Sequence, residues 1–190
     1  MPSADAVARY FLWLANESEE EPALITQMQL QKLVYLAQGW SLGVRGKPLF
    51  DERIEAWVHG PVTPSLRPSF ASYNQAPIAV SEANPGDSLT PDERHHIHSV
   101  WDMYSMYSAA YLRDLTHRQS PWKNARKDVP TDARSNAEIP QADMAACFKD
   151  EYRRYLSKRG IDPVALDRSS RQASQDHLPT LDLTTGKVRE

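Results

Sequence analysis

Cysteine is almost absent from this chain. Cys147 stands alone among 190 residues, so no internal disulfide can form and an oxidising compartment gains no support. There is no excess of positive charge either. Lys and Arg number 22 against 25 Asp and Glu, a formal charge of −3, which argues against a broad sequence-independent nucleic-acid footprint. Long apolar runs are missing. The run over residues 11–15 is too short for a secretory core or a membrane span, and the opening Met1-Pro2-Ser3-Ala4-Asp5 carries no positive leader. The expectation is a soluble cytoplasmic protein. Glycine is scarce, at 7 residues. Gly39, Gly43 and Gly46 form neither a phosphate loop nor a dinucleotide fingerprint, and they read as helix-end capping. What remains is 41% hydrophobic, near the low edge for a globular domain, so a core is diluted by a polar segment somewhere.

The hydrophobic periods place that core. Val7, Tyr10, Phe11 and Leu14 lie on one helical face. A second helix starts at Thr26, with Gln29 at capping-box spacing, and carries Leu30, Leu33, Val34, Ala37 and Trp40 on one stripe. It is the best-patterned helix and the expected centre of the fold. Alternation over residues 50–58 predicts a strand, 59–62 a turn, and 77–80 a second strand pairing with the first. Pro68 predicts a kink or restart in the helix that follows Thr63-Pro64. Thr90-Pro91-Asp92-Glu93 is a helix start with cap, proline and reciprocal glutamate, leading to Ile97, Val100, Trp101 and Tyr104. A new phase carries Tyr111, Leu112 and Leu115, a short turn runs through Ser120-Pro121-Trp122, and residues 123–136 read as loop. The last helix, over 140–159, turns Met144, Phe148, Tyr152, Tyr155 and Leu156 inward and ends at Gly160. Residues 161–190 hold no aromatic residue and no sustained period. They are expected to form a polar, disordered tail beyond a domain over 1–160.

Few side chains suggest covalent chemistry. His95, His96 and His98 cluster at a helix start without an HExxH pattern, and solvated first-turn histidines are the expectation, with no metal. Cys147 lies among Ala145, Ala146 and Phe148 and reads as a small packed hydrophobe. Ser120 before Pro121 reads as an N-cap. A DNA-reading helix would expose several Arg, Lys, Asn or Gln. The helix over 30–40 and its lead-in offer Gln27, Gln29, Gln31, Lys32 and Gln38 with one positive charge, so DNA is an unfavoured partner.

Three blocks carry a resemblance: Leu30-Gln31-Lys32-Leu33-Val34-Tyr35-Leu36-Ala37-Gln38-Gly39-Trp40, Glu55-Ala56-Trp57-Val58-His59-Gly60-Pro61-Val62, and Leu115-Thr116-His117 followed by Ser120-Pro121-Trp122. In order and spacing they resemble the Panacea-domain antitoxins, the GepA-like and SocA-like proteins of phages and plasmids, over roughly residues 4–160. The resemblance implies a mainly helical (α+β) domain with a small two- or three-stranded antiparallel hairpin. It also implies an antitoxin that binds and neutralises a cognate protein toxin and, as in SocA-like members, delivers it to the ClpXP protease as an adaptor. No enzyme activity and no cofactor are expected.

The motif residues Gln31, Lys32, Tyr35, Trp40, Trp57, His59, Gly60, Pro61, Thr116, His117 and Trp122 are the candidates for the site or partner surface. Trp40, Trp57 and Trp122 are large anchors expected to pack together. Lys32, His59, Thr116 and His117 are less easily explained by packing and are expected either to build a hydrogen-bonded site or to touch a partner. In the tail, Leu178, Leu181 and Leu183 are the closely spaced apolar grips. The alternative functions are a DNA-binding autoregulator, which needs a localised basic face, and a hydrolase using His117.

Overall fold

The computed structural model describes residues 1–17, 23–79 and 84–162, together with the backbone of 180–181 and 188–189. Helix α1 (Ala4–Asn16) starts where the Ser3 hydroxyl accepts the Ala6 amide, and it buries Val7, Tyr10, Phe11 and Leu14. Helix α2 (Gln27–Trp40) starts at Thr26, whose hydroxyl accepts the Gln29 amide. The expected capping box is only half formed, because the Gln29 side chain donates to the Tyr107 carbonyl instead.

Helix α2 is buried from Gln29 to Trp40 without a break. A stripe with a polar back was expected. A helix enclosed on every side has to pair its polar groups; Gln29, Gln31, Lys32 and Gln38 do so, while the buried Tyr35 hydroxyl has no hydrogen-bond partner. Gln38 accepts from the Leu49 and Phe50 amides and donates to the Phe50 carbonyl, which pins that loop to the helix.

Beyond Trp40 the helix widens into a π-turn, Ser41–Arg45, and stops at Gly46 in the left-handed conformation (φ 66°). Only Gly46 of the three glycines is a cap. Gly39 and Gly43 serve packing: a Cβ on Gly39 would enter the Phe148 ring, and one on Gly43 would lie 2.6 Å from the Phe148 backbone.

Strands β1 (Glu55–Trp57) and β2 (Gly60–Val62) form an antiparallel hairpin around Val58-His59, with Ala56 opposite Pro61 and Trp57 opposite Gly60. Residues 59–62, read as a turn, thus include a strand. Residues 77–79, the described part of the expected second strand, do not pair with β1: Pro77 and Ile78 meet Thr26 and Ile25 at the entrance of α2. The other neighbour of β1 is residues 137–139, through Ala56 N to Ala137 O and Ile139 N to Ile54 O, both 2.8 Å.

After a 3₁₀ turn, Pro64–Leu66, the chain restarts as α3 (Arg67–Phe70), with Pro68 tolerated in the first helical turn. Helix α4 (Pro91–Tyr104) has the full reciprocal capping box. Helix α5 (Ala109–Arg118) is capped by Ser108, whose hydroxyl accepts the Tyr111 amide. Gln119 holds the N-cap position of helix α6 (Ser120–Ala125) without a side-chain capping bond, so Ser120 lies inside the helix and is not its cap. Helix α7 (Gln141–Lys158) ends before Gly160 (φ 72°).

Helices α1, α4, α5 and α7 pack around α2, with α7 lying against the π-turn. The histidines are not all solvated. His96 is buried in α4 and donates Nε2–H to the Ala37 carbonyl at 2.9 Å; burial holds its pKa down at about 4. His98 is exposed and pairs with Asp102. The fold is therefore mainly α, with one small antiparallel hairpin in the helical body. In the tail, Thr180–Leu181 (β3) pairs with Val188–Arg189 (β4); its other residues from 163 onward lie outside the described ones.

Candidate functional site: a side-chain clamp on the hairpin

Strands of three residues are marginal by themselves, and backbone groups left out of the ladder need other partners. Side chains from two helical segments supply them. From α2, Lys32 Nζ donates to the Pro61 carbonyl at 2.9 Å. Gln31 takes both groups of Thr63: the Thr63 amide donates to Oε1 at 2.7 Å, and Nε2 donates to the Thr63 carbonyl at 3.3 Å. From the other side, Trp122 Nε1 donates to the Trp57 carbonyl at 2.9 Å. Arg126, just past α6, donates to the Ala56 carbonyl at 2.9 Å and to the carbonyls of Pro130, Thr131 and Ala133.

Gly60 makes the Lys32 contact possible. Its φ of 99° disfavours any side chain. A Cβ there would lie 2.8 Å from Lys32 Cε, 2.9 Å from Nζ and 3.0 Å from Thr116 Oγ1. Thr116 is fully buried and donates to the Arg113 carbonyl at 2.9 Å. His117 stacks on Trp122, with centroids 4.0 Å apart and planes within 12°, and its buried Nε2 has no hydrogen-bond partner. The half-exposed Trp57 donates its indole N–H to Glu55 at 2.7 Å, and the Arg67 guanidinium lies over its ring at 5.0 Å.

Cations outnumber carboxylates around Lys32 and His117, while the buried Glu55 carboxylate of the hairpin pairs with Arg53 and Trp57. Lys32 is 1% exposed. Burial first, then the like charge of Arg113, pulls its pKa down to about 7. Burial also lowers His117, reinforced by Lys32, Arg113 and Arg126 and opposed by Asp114. Among the described residues no carboxylate lies within ion-pair distance of Lys32 or His117.

Eight motif residues therefore meet at one place: Gln31, Lys32, Trp57, Gly60, Pro61, Thr116, His117 and Trp122. The other three do not join them. Tyr35 and Trp40 meet Phe148 of α7 edge-on, at 5.8 and 5.5 Å, and the Trp40 indole donates to the Tyr104 hydroxyl. His59 is exposed at the tip of the hairpin. The three tryptophans thus do not share one cluster: Trp122 holds Trp57 through its backbone, while Trp40 belongs to the α7 contact. Leu178 and Leu183 lie outside the described residues, and Leu181 is described only in its backbone pairing with Val188.

Sequence reasoning missed Arg126, which fell in a presumed loop. Its signal was an arginine four residues after Trp122, one helical turn away; its guanidinium lies 5.2 Å from that ring. Cys147 is half-buried, and burial raises its thiol pKa, the opposite of an activated nucleophile.

A hairpin held by buried donors, with the side-chain polar groups of Gln31, Lys32, Trp57, Thr116 and Trp122 paired inside the protein and with His117 Nε2 and the Tyr35 hydroxyl unpaired, defines a scaffold with a preformed surface. Residues 30–123 match the family described as "Antitoxin SocA-like, Panacea domain", and through them the chain belongs to the Panacea-domain family. The match runs from α2 into α6 and so takes in the clamp apart from Arg126. No curated protein and no solved structure matches the chain. Among the described residues no helix is long and apolar enough to cross a membrane, and no three His, Cys, Asp or Glu side chains are grouped to hold a metal.

Proposed function

We propose that this protein is a cytoplasmic antitoxin that neutralises a protein toxin by direct contact and acts without covalent chemistry. The observation that carries this reading is the convergence of the three family blocks on a structural clamp. Lys32, Gln31, Thr116 and Trp122 each have a hydrogen-bond partner in the protein itself, and no nucleophile there is paired with a general base. Their work is to hold a surface ready-made, which lowers the ordering cost of binding. Delivery of the bound toxin to ClpXP is the finer form of the proposal. The DNA reading fares less well, because Gln29, Gln31, Lys32 and Gln38 of α2 are buried and paired inside the domain.

The test is to express the neighbouring gene alone and together with this one. Toxicity rescued by co-expression, with co-purification of the two products, is the expected result. Rescue without any physical association would sink the contact mechanism. Measuring the neighbour's half-life with and without this chain separates delivery from blocking, and full rescue by His117→Ala is the result that excludes hydrolysis.

A further inference from the structure

The clamp fixes a hairpin that shows little of itself to solvent. Strand β2 is buried throughout, and so are Glu55 and Ala56 of β1. What reaches the surface is Trp57, half-exposed, and the tip, Val58-His59. Two arms of the clamp converge on that ring. Trp122 holds the Trp57 carbonyl, and Gln31 holds both backbone groups of Thr63, four residues before Arg67. Arg67 is exposed, but its backbone has little freedom: Leu66 and Phe70 on either side are buried, and Pro68 fixes the next φ. Its guanidinium carbon lies 5.0 Å from the centre of the Trp57 ring. The indole N–H donates to one oxygen of Glu55 at 2.7 Å, and the other oxygen pairs with Arg53 at 2.8 Å.

One cation of this cluster is left uncommitted. Among the described residues Arg67 has no carboxylate within ion-pair distance. The carboxylates of the neighbouring strands are Glu55, shared by Arg53 and the indole, and the exposed Glu138, opposite Glu55 across the bridge. A cation over an indole is oriented without using its N–H donors, and a guanidinium fork matches a carboxylate with two parallel hydrogen bonds.

We propose that Trp57, the hairpin tip and Arg67 form the grip on the protein partner: Arg67 takes a carboxylate of the partner, and apolar side chains beside that carboxylate close over the exposed part of the indole. This rests on the antitoxin reading and adds where, and by what chemistry, the partner is held. Trp and Arg in a preformed arrangement are the usual energetic anchors of an interface, and the clamp has already ordered them. A second copy of this chain fits poorly, since a two-fold contact centred here sets Arg67 against Arg67. Nucleic acid fits poorly too. A duplex draws on a row of phosphate contacts, and of the two exposed arginines here Arg53 is already paired.

The experiment is calorimetric titration of the full chain with the neighbouring gene's product, beside proton–nitrogen spectra of the tryptophan indoles in which Trp57→Phe assigns the Trp57 signal. Arg67→Glu should weaken binding at least about tenfold, and Arg67→Lys, which keeps the charge but not the fork, about threefold. Lys47→Glu, an exposed cation on the loop after the π-turn, should leave binding within about twofold. The Trp57 indole signal should shift on addition of the partner. An unchanged thermal transition verifies each variant; should Arg67→Glu lose it, Arg67→Met, which retains the aliphatic stem over the ring, reads the same contact. Full binding by the Arg67 variants, or a Trp57 signal that does not move in the complex, overturns the proposal and leaves the antitoxin reading standing. Equal weakening by Lys47→Glu also overturns it, because charge in general would then be at work. So does a self-association that Arg67→Glu abolishes, or a duplex oligonucleotide that moves the Trp57 signal and binds more tightly than the neighbour. An unaltered chain that does not bind the neighbour at all defeats both readings.

Discussion

An ammonium group placed in a protein interior without a carboxylate must give up proton affinity, and Lys32 does, falling from 10.5 to about 7. The consequence for stability has a definite sign. Above pH 7 the folded amine is largely neutral while the unfolded one is still charged, so the unfolded chain binds more protons and stability climbs with pH. Below pH 7 both forms are charged and the folded state bears the full desolvation cost. From pH 7 to about 8.5 the gain is on the order of 1–2 kcal/mol. Above that, Cys147 and the buried tyrosines, whose pKa values burial pushes upward, begin to oppose it. Urea unfolding at both pH values should show this rise in the natural chain and its loss in Lys32→Met, whatever the substitution does to absolute stability. An equal rise in the variant would mean that Lys32 is not the titrating group. His96 illustrates the same scale from the reading side. It sits four residues before Val100, on the stripe read for α4, so its burial was legible; what hid it was its polarity, offset by the Ala37 carbonyl of another helix.

At the scale of elements, the α2–α7 contact depends on two missing side chains. On an exposed helix Gly→Ala stabilises by about 1 kcal/mol. At Gly43 the added methyl would meet the Phe148 backbone carbon and Cβ at 2.6 Å and the Lys149 amide nitrogen at 2.7 Å, atoms that cannot swing aside. Gly43→Ala should therefore destabilise by about 2–3 kcal/mol, read as a lowered urea midpoint. A neutral or raised midpoint would show that α7 can lift off α2 at little cost. Elements with local signals were legible in the sequence. The α4 capping box lies within four residues, and the faces of α1, α4 and α7 follow the 3.6 period. The hairpin was half legible. β1 alternates, but β2 is Gly60-Pro61-Val62, whose first two residues are turn signals. Only Lys32, Gln31, Trp122 and Arg126, distant in sequence, make it a strand. The glutamines of α2 read as surface for the same reason: their partners, Thr63, Phe50 and Tyr107, lie in other segments.

Across the whole molecule, cationic stretches over 113–128 and 149–159 on a chain of formal charge −3 make association with a charged partner an electrostatically steered event. A partner with an acidic patch is attracted to these stretches and repelled by the acidic ones, so charge biases orientation before contact. Between about 0.1 M and 1 M salt the screening length falls from about 10 Å to about 3 Å, which removes attraction at the distances where orientation is chosen. Once the partner is seated, the short-range contacts are screened less. Stopped-flow mixing with the co-purifying partner should therefore show an association rate that drops about tenfold or more over that range, with a dissociation rate that changes far less. Arg118→Glu/Lys123→Glu should associate slowly at low salt and lose most of the salt dependence. Association that is fast and indifferent to salt would mean that the partner is recognised through apolar contact elsewhere. The exposed Met106 and Tyr111 beside the α4–α5 junction would then be the place to substitute next.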